Sequence, residues 1–329
     1  MLTVAPKFTR SFDETLELVQ VRAANQLPDR IVHVSDMRMN PDGRFTAGGS
    51  DTYRLNSHSR KQLAALVGVR WDTWFRDAIS GEERADELNR RLSRMPGQLK
   101  VRSYRDDTHE ADGVIRGLLG PKFTPIDDDR IFNTLAETMR GPLEEYDFTE
   151  VAFTDSTSHY RALHKHPRDI EDDRHRAGFA LRNSEVGSAA LSLDDFWMRL
   201  VCLNGLMVPV DGKRLLYRTH RAIEDEQLAA AMVIAISRLP KRWDAVTNML
   251  VGAKHASVPH PDDAVLAALD GVVLPKALID SAREAALHEG DATRLGVVQA
   301  ITAIAGGKAT DPDQRFAMER AAGEYLAAA

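Results

Sequence analysis

The sequence predicts an α+β fold: a central antiparallel sheet with helices on one face, followed by a helical C-terminal region. Three observations lead there. Between Phe148 and Arg221, apolar residues recur at every second position in short pieces separated by turn residues, the period of strands that bury one face. From Ser57 the spacing is first helical, and after Ile223 the chain is helical and Ala-rich, with breaks at Pro240, SVPHPDD, Leu274-Pro275, HEGD and GGKATDPD. Strands gathered together, with helices before and after, give the order of an α+β chain rather than of an alternating α/β one.

Taken in order, the first stretch alternates short apolar pieces with Pro, Asn and Gly. It ends in the turn-rich MNPDGRFTAGGSDTYRL, with strands expected at Ile31–Val34 and Thr52–Leu55. Leu63, Leu66 and Val67 then fall at core spacing, and Trp71, Trp74, Phe75 and Ile79 continue the apolar face after Gly68-Val69, predicting two short helices with a tight joint. GEERADELNRRLSRMPG has acids ahead of bases, as a solvated helix does, and stops at Pro96-Gly97. LKVRSYR reads as a strand. GVIRGLLGPKFTPIDDDRIFNTLAETMR reads as an apolar piece, a Pro-bounded turn and a helix starting near Asp127–Asp129, where carboxylates suit the helix dipole. The strand-like pieces FTEVAFTD, SHYRALHKH, AGFALRNSE, SAALSL, GLMVPV and RLLYRTH follow, interrupted by a helix expected around Asp194–Leu203. The boundary falls near residue 222, dividing an α+β core region at 1–222 from a helical region at 223–329 packed on it.

With 329 residues, 43% of them hydrophobic, the chain can bury a sizeable core. A net charge of -6 excludes a uniformly basic coat but allows a local basic face. Cys202 is the sole cysteine, which excludes an intrachain disulfide or a multi-cysteine zinc site and fits a reducing cytoplasm. MLTVAPKFTRSFDETLELV mixes charges throughout and has no apolar h-region. No apolar run reaches the ~18 residues of a spanning helix. A cytoplasmic protein is expected, without a membrane partner.

Several segments bear chemistry, each with a bland reading beside it. QLAALVGVRWDTWFRDAISG places Ala64 and Gly68 where a helix-turn-helix needs a small residue and a bend, with Arg70, Asp72 and Thr73 opening a recognition helix; a plain helical hairpin uses the same residues. HYRALHKHPRDIEDDRHRAGF gathers His164, His166, Asp169 and Asp173, ligand types for a metal-dependent nuclease, among Arg and Lys that equally suit a solvated hairpin end or a phosphate contact. Asn183, Ser184, Glu185 and Gly187 can hold a ligand or simply bond their own backbone in a turn. Cys202, on an apolar stretch without a definable His partner, reads as an inert buried thiol. GxxxxGK[ST], GxGxxG and GxSxG are all missing, so no catalytic residue and no cofactor is indicated. Basic and aromatic residues interleave in two further places. The phosphate-contact candidates are Arg102, Arg105, Arg161, Lys165, Arg182, Lys213, Arg214 and Arg218, with Tyr104 and Tyr217 as stacking platforms.

The order of ALRNSEVGSAALSL, MRLVCLNGLMV and YRTHRAI, preceded by YRLNSHSRKQLAALVGV and VIRGLLGPKFTPIDDDRIF and followed by LGVVQAITAIAGG and RFAMERAAGEYL, resembles the domain of unknown function 932 family of phage- and plasmid-like proteins, from about Tyr53 to Leu326. The resemblance rests on Asn183, Ser184, Glu185 and Gly187, then Arg199, Cys202, Asn204 and Gly205; the chain departs from the family pattern at Gly120, Phe123 and Leu203. It implies mobile-element DNA metabolism and supplies no catalytic residue. The strand-rich order before Leu203 is also broadly similar to single-strand annealing proteins, which implies a homo-oligomer and single-stranded DNA as partner in replication or recombination. The competing expectations are the metal-dependent nuclease and a protein-protein module acting in host-defence antagonism or phage assembly.

Overall fold

The computed structural model describes residues 9–70, 80–106, 111–171, 173–200, 204–288, 291–307 and 311–328. The class is α+β, with the strands divided between two mostly antiparallel sheets.

The chain enters through α1 (Phe12–Ala24), whose N-terminus is closed by a reciprocal capping box between Ser11 and Glu14. Strands β1 (Gln26–His33), β2 (Met37–Met39), β3 (Phe45–Ala47), β4 (Thr52–Leu55), β5 (Gln98–Tyr104) and β6 (Gly113–Leu119) form a six-stranded sheet in the order β1-β5-β6-β4-β3-β2. Among the described residues only the β4–β6 pair is parallel, because α2 (Ser57–Val67), α3 (Gly81–Leu92) and β5 intervene between those strands and return the chain in the same direction. Asn56 caps α2 and Gly68, at φ 71°, ends it. Leu63 and Val67 from α2 and Ala85, Leu88 and Leu92 from α3 fill a small core against Met37, Phe45, Tyr53, Val101 and Ile115. The second helix expected in the helix-turn-helix reading, with Asp72 and Thr73, lies outside the described residues.

Helix α4 (Asp128–Leu143) leads into the second sheet, built from β7 (Tyr146–Phe153), β8 (Ser158–His164), β9 (Arg168–Ile170), β10 (Asp173–Asn183), β11 (Leu191–Arg199), β12 (Gly205–Met207) and β13 (Leu216–Arg218). Its central order is β12-β11-β10-β8-β7, with β9 on β10 and β13 on β11. The helix expected at Asp194–Leu203 is not formed over its described first half: Leu191–Arg199 is a strand, buried along nearly its whole length. Asp195 is met by the Arg242 Nε at 2.8 Å and Asp194 by the Arg214 Nε at 3.3 Å, so both carboxylates are held inside the strand's buried surroundings.

Among the described residues five helices follow: α5 (Asp225–His255), α6 (Pro261–Ala268), α7 (Lys276–His288), α8 (Arg294–Ala305) and α9 (Pro312–Ala327). The hydrophobic core is continuous across residue 222, since Leu228, Met232 and Ile236 of α5 share one cluster with Phe179, Leu181, Leu193 and Phe12. The separate core instead lies between Val32 and Leu118. Alternation along β8 covers the larger sheet on both faces. Tyr160 meets Phe132 of α4 at 4.6 Å, whereas His159 and Arg161 turn to Phe316 and Glu319 of α9.

Helix α9 lies so close to β12 that a Cβ on Gly323 would fall 1.6 Å from the Met207 carbonyl oxygen. Gly252 of α5, by contrast, has nothing within 4 Å of its would-be Cβ. Gly323→Ala is therefore expected to lose about 1–3 kcal/mol through overpacking, and Gly252→Ala to gain about 0.5–1 kcal/mol from helix propensity. Urea denaturation of the two variants checks the contrast; equal effects would contradict the contact.

Candidate functional site

Residues 183–185, marked by the sequence, close β10 where the two sheets meet, and all three side chains are buried. Asn183 donates through Nδ2 to the Asp128 Oδ1 at 2.7 Å and to the Ile126 carbonyl at 2.8 Å. Asp128 opens α4 and also accepts from the Ser158 hydroxyl, the Tyr160 hydroxyl and Arg22, each at 2.9 Å. Glu185, 3% exposed, binds Arg116 through a short ion pair. It also lies 3.3 Å from Arg22 and accepts from the Asp128 N–H at 3.0 Å. Arg102 donates to the Glu185 carbonyl at 2.6 Å while its guanidinium is gripped by Asp127 at 2.7 and 2.8 Å and by Asp29 at 2.9 Å. Ser184 accepts from the Ser188 N–H and donates to the Ser156 carbonyl. Gly187, at φ 78°, turns the chain away.

Burial opposes ionisation of Glu185, yet Arg116, then Arg22, with the Asp128 N–H hold it down to about 2. Burial, and then the Glu185 charge, push Asp128 up to about 6. Tyr160 is raised well above its ordinary range, by burial first and Asp128 second. Apart from the Asn183 Oδ1, which is buried without a hydrogen-bond partner among the described residues, the groups named here bond to one another inside the protein, so the arrangement joins elements.

The second part of the motif does related work. Arg199, at the end of β11, pairs with Asp173 at 2.8 Å, and its N–H donates to the Asn204 carbonyl at 3.2 Å, closing the turn before β12. Gly205 lets β12 pass under the Phe196 ring, which would lie 2.6 Å from any Cβ there. Cys202 lies outside the described residues.

Of the phosphate-contact candidates, Arg102 and Arg161 are interior and need correcting. Arg161, 1% exposed, is held by Glu150 at 2.8 Å and Glu319 at 2.6 Å. Its alternation with apolar residues marks a strand, but the face it points to is covered by α9, and Glu319 of that helix with Glu150 of β7 neutralises it. Arg182 is half-buried against Asp313 at 2.5 Å. Tyr104 is half-buried, while Arg105 and Lys165 are exposed at the end of β5 and in the β8–β9 turn. Lys213, Arg214, Tyr217 and Arg218 are close in sequence, on β13 and the turn before it, and of these Arg214 and Tyr217 are in contact. Lys213 and Arg218 are exposed, Tyr217 is 59% exposed, and the Arg214 guanidinium lies 5.3 Å from the Tyr217 ring centroid.

The nuclease ligand set does not converge. The His164 Nδ1 accepts from the His166 N–H at 3.3 Å and its ring meets Trp243 edge-on, while Asp169 faces Arg174 and Asp173 faces Arg199. Among the described residues no group of three or more His, Cys, Asp or Glu side chains is placed to hold a metal ion. Sequence reasoning missed Glu150, Arg315 and Glu319, whose ion pairs join β7, β8 and α9. Helical spacing in RFAMERAAGEYL puts Arg315 and Glu319 on one face, but nothing in the sequence gives their partner strand.

Two variants probe the junction. Glu185→Ala leaves Arg116 and Arg22 without their shared carboxylate and is expected to lose about 3–5 kcal/mol of stability, read from the urea midpoint. Asp128 binds its proton more tightly folded, near 6, than at its ordinary 3.8. Its contribution is therefore full below pH 4 and is lost as pH rises through 6. Asp128→Asn should flatten that segment of the stability-pH curve, and an unchanged slope would assign it to other groups.

Compared with known family models, curated proteins and solved structures, the chain matches none of them.

Proposed function

We propose that the protein binds single-stranded nucleic acid along the β13 edge of its larger sheet, as a DNA-handling protein of a mobile element in the bacterial cytoplasm. The observation that carries this reading is the pairing of an exposed aromatic ring with an unburied basic strip. Leu216 anchors β13 in the core, Tyr217 and Arg218 turn outward, and Lys213 and Arg221 continue the exposed cations on either side. Arg214 lies against the Tyr217 ring and adds its charge to the platform. Alternating cations and a ring fit a flexible strand, since phosphates meet the cations while a base stacks on the ring, and every base has a face to stack. The net charge of -6 confines such binding to a local strip. No described helix is long and apolar enough to cross a membrane.

Fluorescence polarisation of labelled single-stranded and duplex DNA, at low and at physiological salt, tests the reading. The expected outcome is preference for the single strand, affinity falling steeply with salt, and a loss of about tenfold in Tyr217→Ala, the scale of one stacked base. Lys213→Ala with Arg218→Ala should reduce the salt slope by about two. Absence of binding at low salt overturns the proposal.

A further inference from the structure

A cleft of about 340 Å³ opens beside the Tyr217 platform, between the turn leading to β13 and the last turns of α9. Its walls bring two guanidinium groups, Arg214 and Arg320, to one opening, with Asp194 and Glu324 between them and Met207 and Pro209 as the apolar part. The shortest approach of Arg214 to Asp194 is from Nε, at 3.3 Å, and Glu324 also acts on its guanidinium. The Asp194 Oδ2 is buried and has no hydrogen-bond partner among the described residues. Arg320 holds Glu324, an exposed partner one turn along the same helix, at 2.7 Å; such surface pairs are weak and are readily exchanged for a better anion.

We infer that this cleft takes a phosphate monoester, the terminal phosphate of a nucleic-acid strand, between Arg214 and Arg320. The inference rests on the reading of β13 as the strand-binding edge. Two planar guanidinium forks offering N–H donors to one space match the geometry of a phosphate dianion better than that of the singly charged diesters within a strand. Arg214 links the two parts of the site, since it lines the cleft and also lies against the Tyr217 ring. A terminal base on Tyr217 therefore brings its own phosphate toward the cleft. Asp194 fixes the Arg214 Nε and so orients the remaining donors.

The test compares one labelled oligonucleotide bearing a 5′-phosphate, a 3′-phosphate or hydroxyls at both ends, bound to the wild-type protein and to Arg320→Ala. Arg320 is 42% exposed along its side chain, so its removal leaves the core untouched. One phosphorylated end is expected to bind about tenfold tighter than the hydroxyl form, the scale of a charge-assisted contact. Arg320→Ala should bring the forms to equal affinity. Equal binding of all three by the wild-type protein overturns the cleft assignment while leaving strand binding intact. Binding of none overturns the β13 reading, and the cleft with it. A preference that inorganic phosphate erases at equal concentration assigns the cleft to free phosphate and overturns the strand-end reading.

Discussion

Glu185 is a carboxylate held in the interior, and the joining of the two sheets depends on satisfying it. Arg116 reaches it from β6, Arg22 from α1, and the first N–H of α4 from below, while Arg102 of β5 takes its backbone carbonyl. Each donor belongs to a different element. A buried charge without partners costs several kcal/mol, so those elements are committed to one mutual arrangement. Gly117 lets β6 approach closely enough for this, because Val186 would lie 2.9 Å from a Cβ there. Asp128 couples the same network to α4, with its four side-chain donors drawn from α1, β8 and β10.

A second buried network performs the corresponding task on the opposite face of the larger sheet. Glu150 of β7, Arg161 of β8 and Arg315 and Glu319 of α9 alternate in sign, and Glu319 is fully buried. Nearby, Asp313 is held well below the ordinary carboxylate range. Burial opposes this, but His159 and then Arg182 outweigh it. These pairs join α9 to β7 and β8, and removing one partner would leave a buried charge uncompensated. Phe316, Met207 and Phe196 then fill the space around them.

These networks also determine what the surface can do. They draw Arg102 of the smaller sheet and Arg161 of the larger one into the interior and tie Arg182 to Asp313, removing these cations from the surface. What remains exposed lies at β13, where the sheet ends. Asp194, pushed up by burial against the pull of Arg214, marks the passage from the structural interior to this edge.

The sequence by itself determined the class and many of the elements, because periodicity is local. Thr52–Leu55 is a strand as read, LKVRSYR lies in β5 as far as Tyr104, the acidic run at 127–129 starts α4, and Pro96-Gly97 follows α3. It also marked residues 183–185 as unusual, since a run of polar residues at the end of an apolar strand must find partners. It misread the segment beginning at Asp194 as a helix, because a buried carboxylate such as Asp195 is explained only by its arginine, and Arg242 stands far away in the chain. The same holds for Arg161: alternation shows that it sits on a strand, but only the docking of α9 decides whether that face meets water or Glu319. Side-chain period is a property of neighbouring residues, whereas the pairing of charges depends on which distant elements come together, and that was decided by the tertiary structure alone.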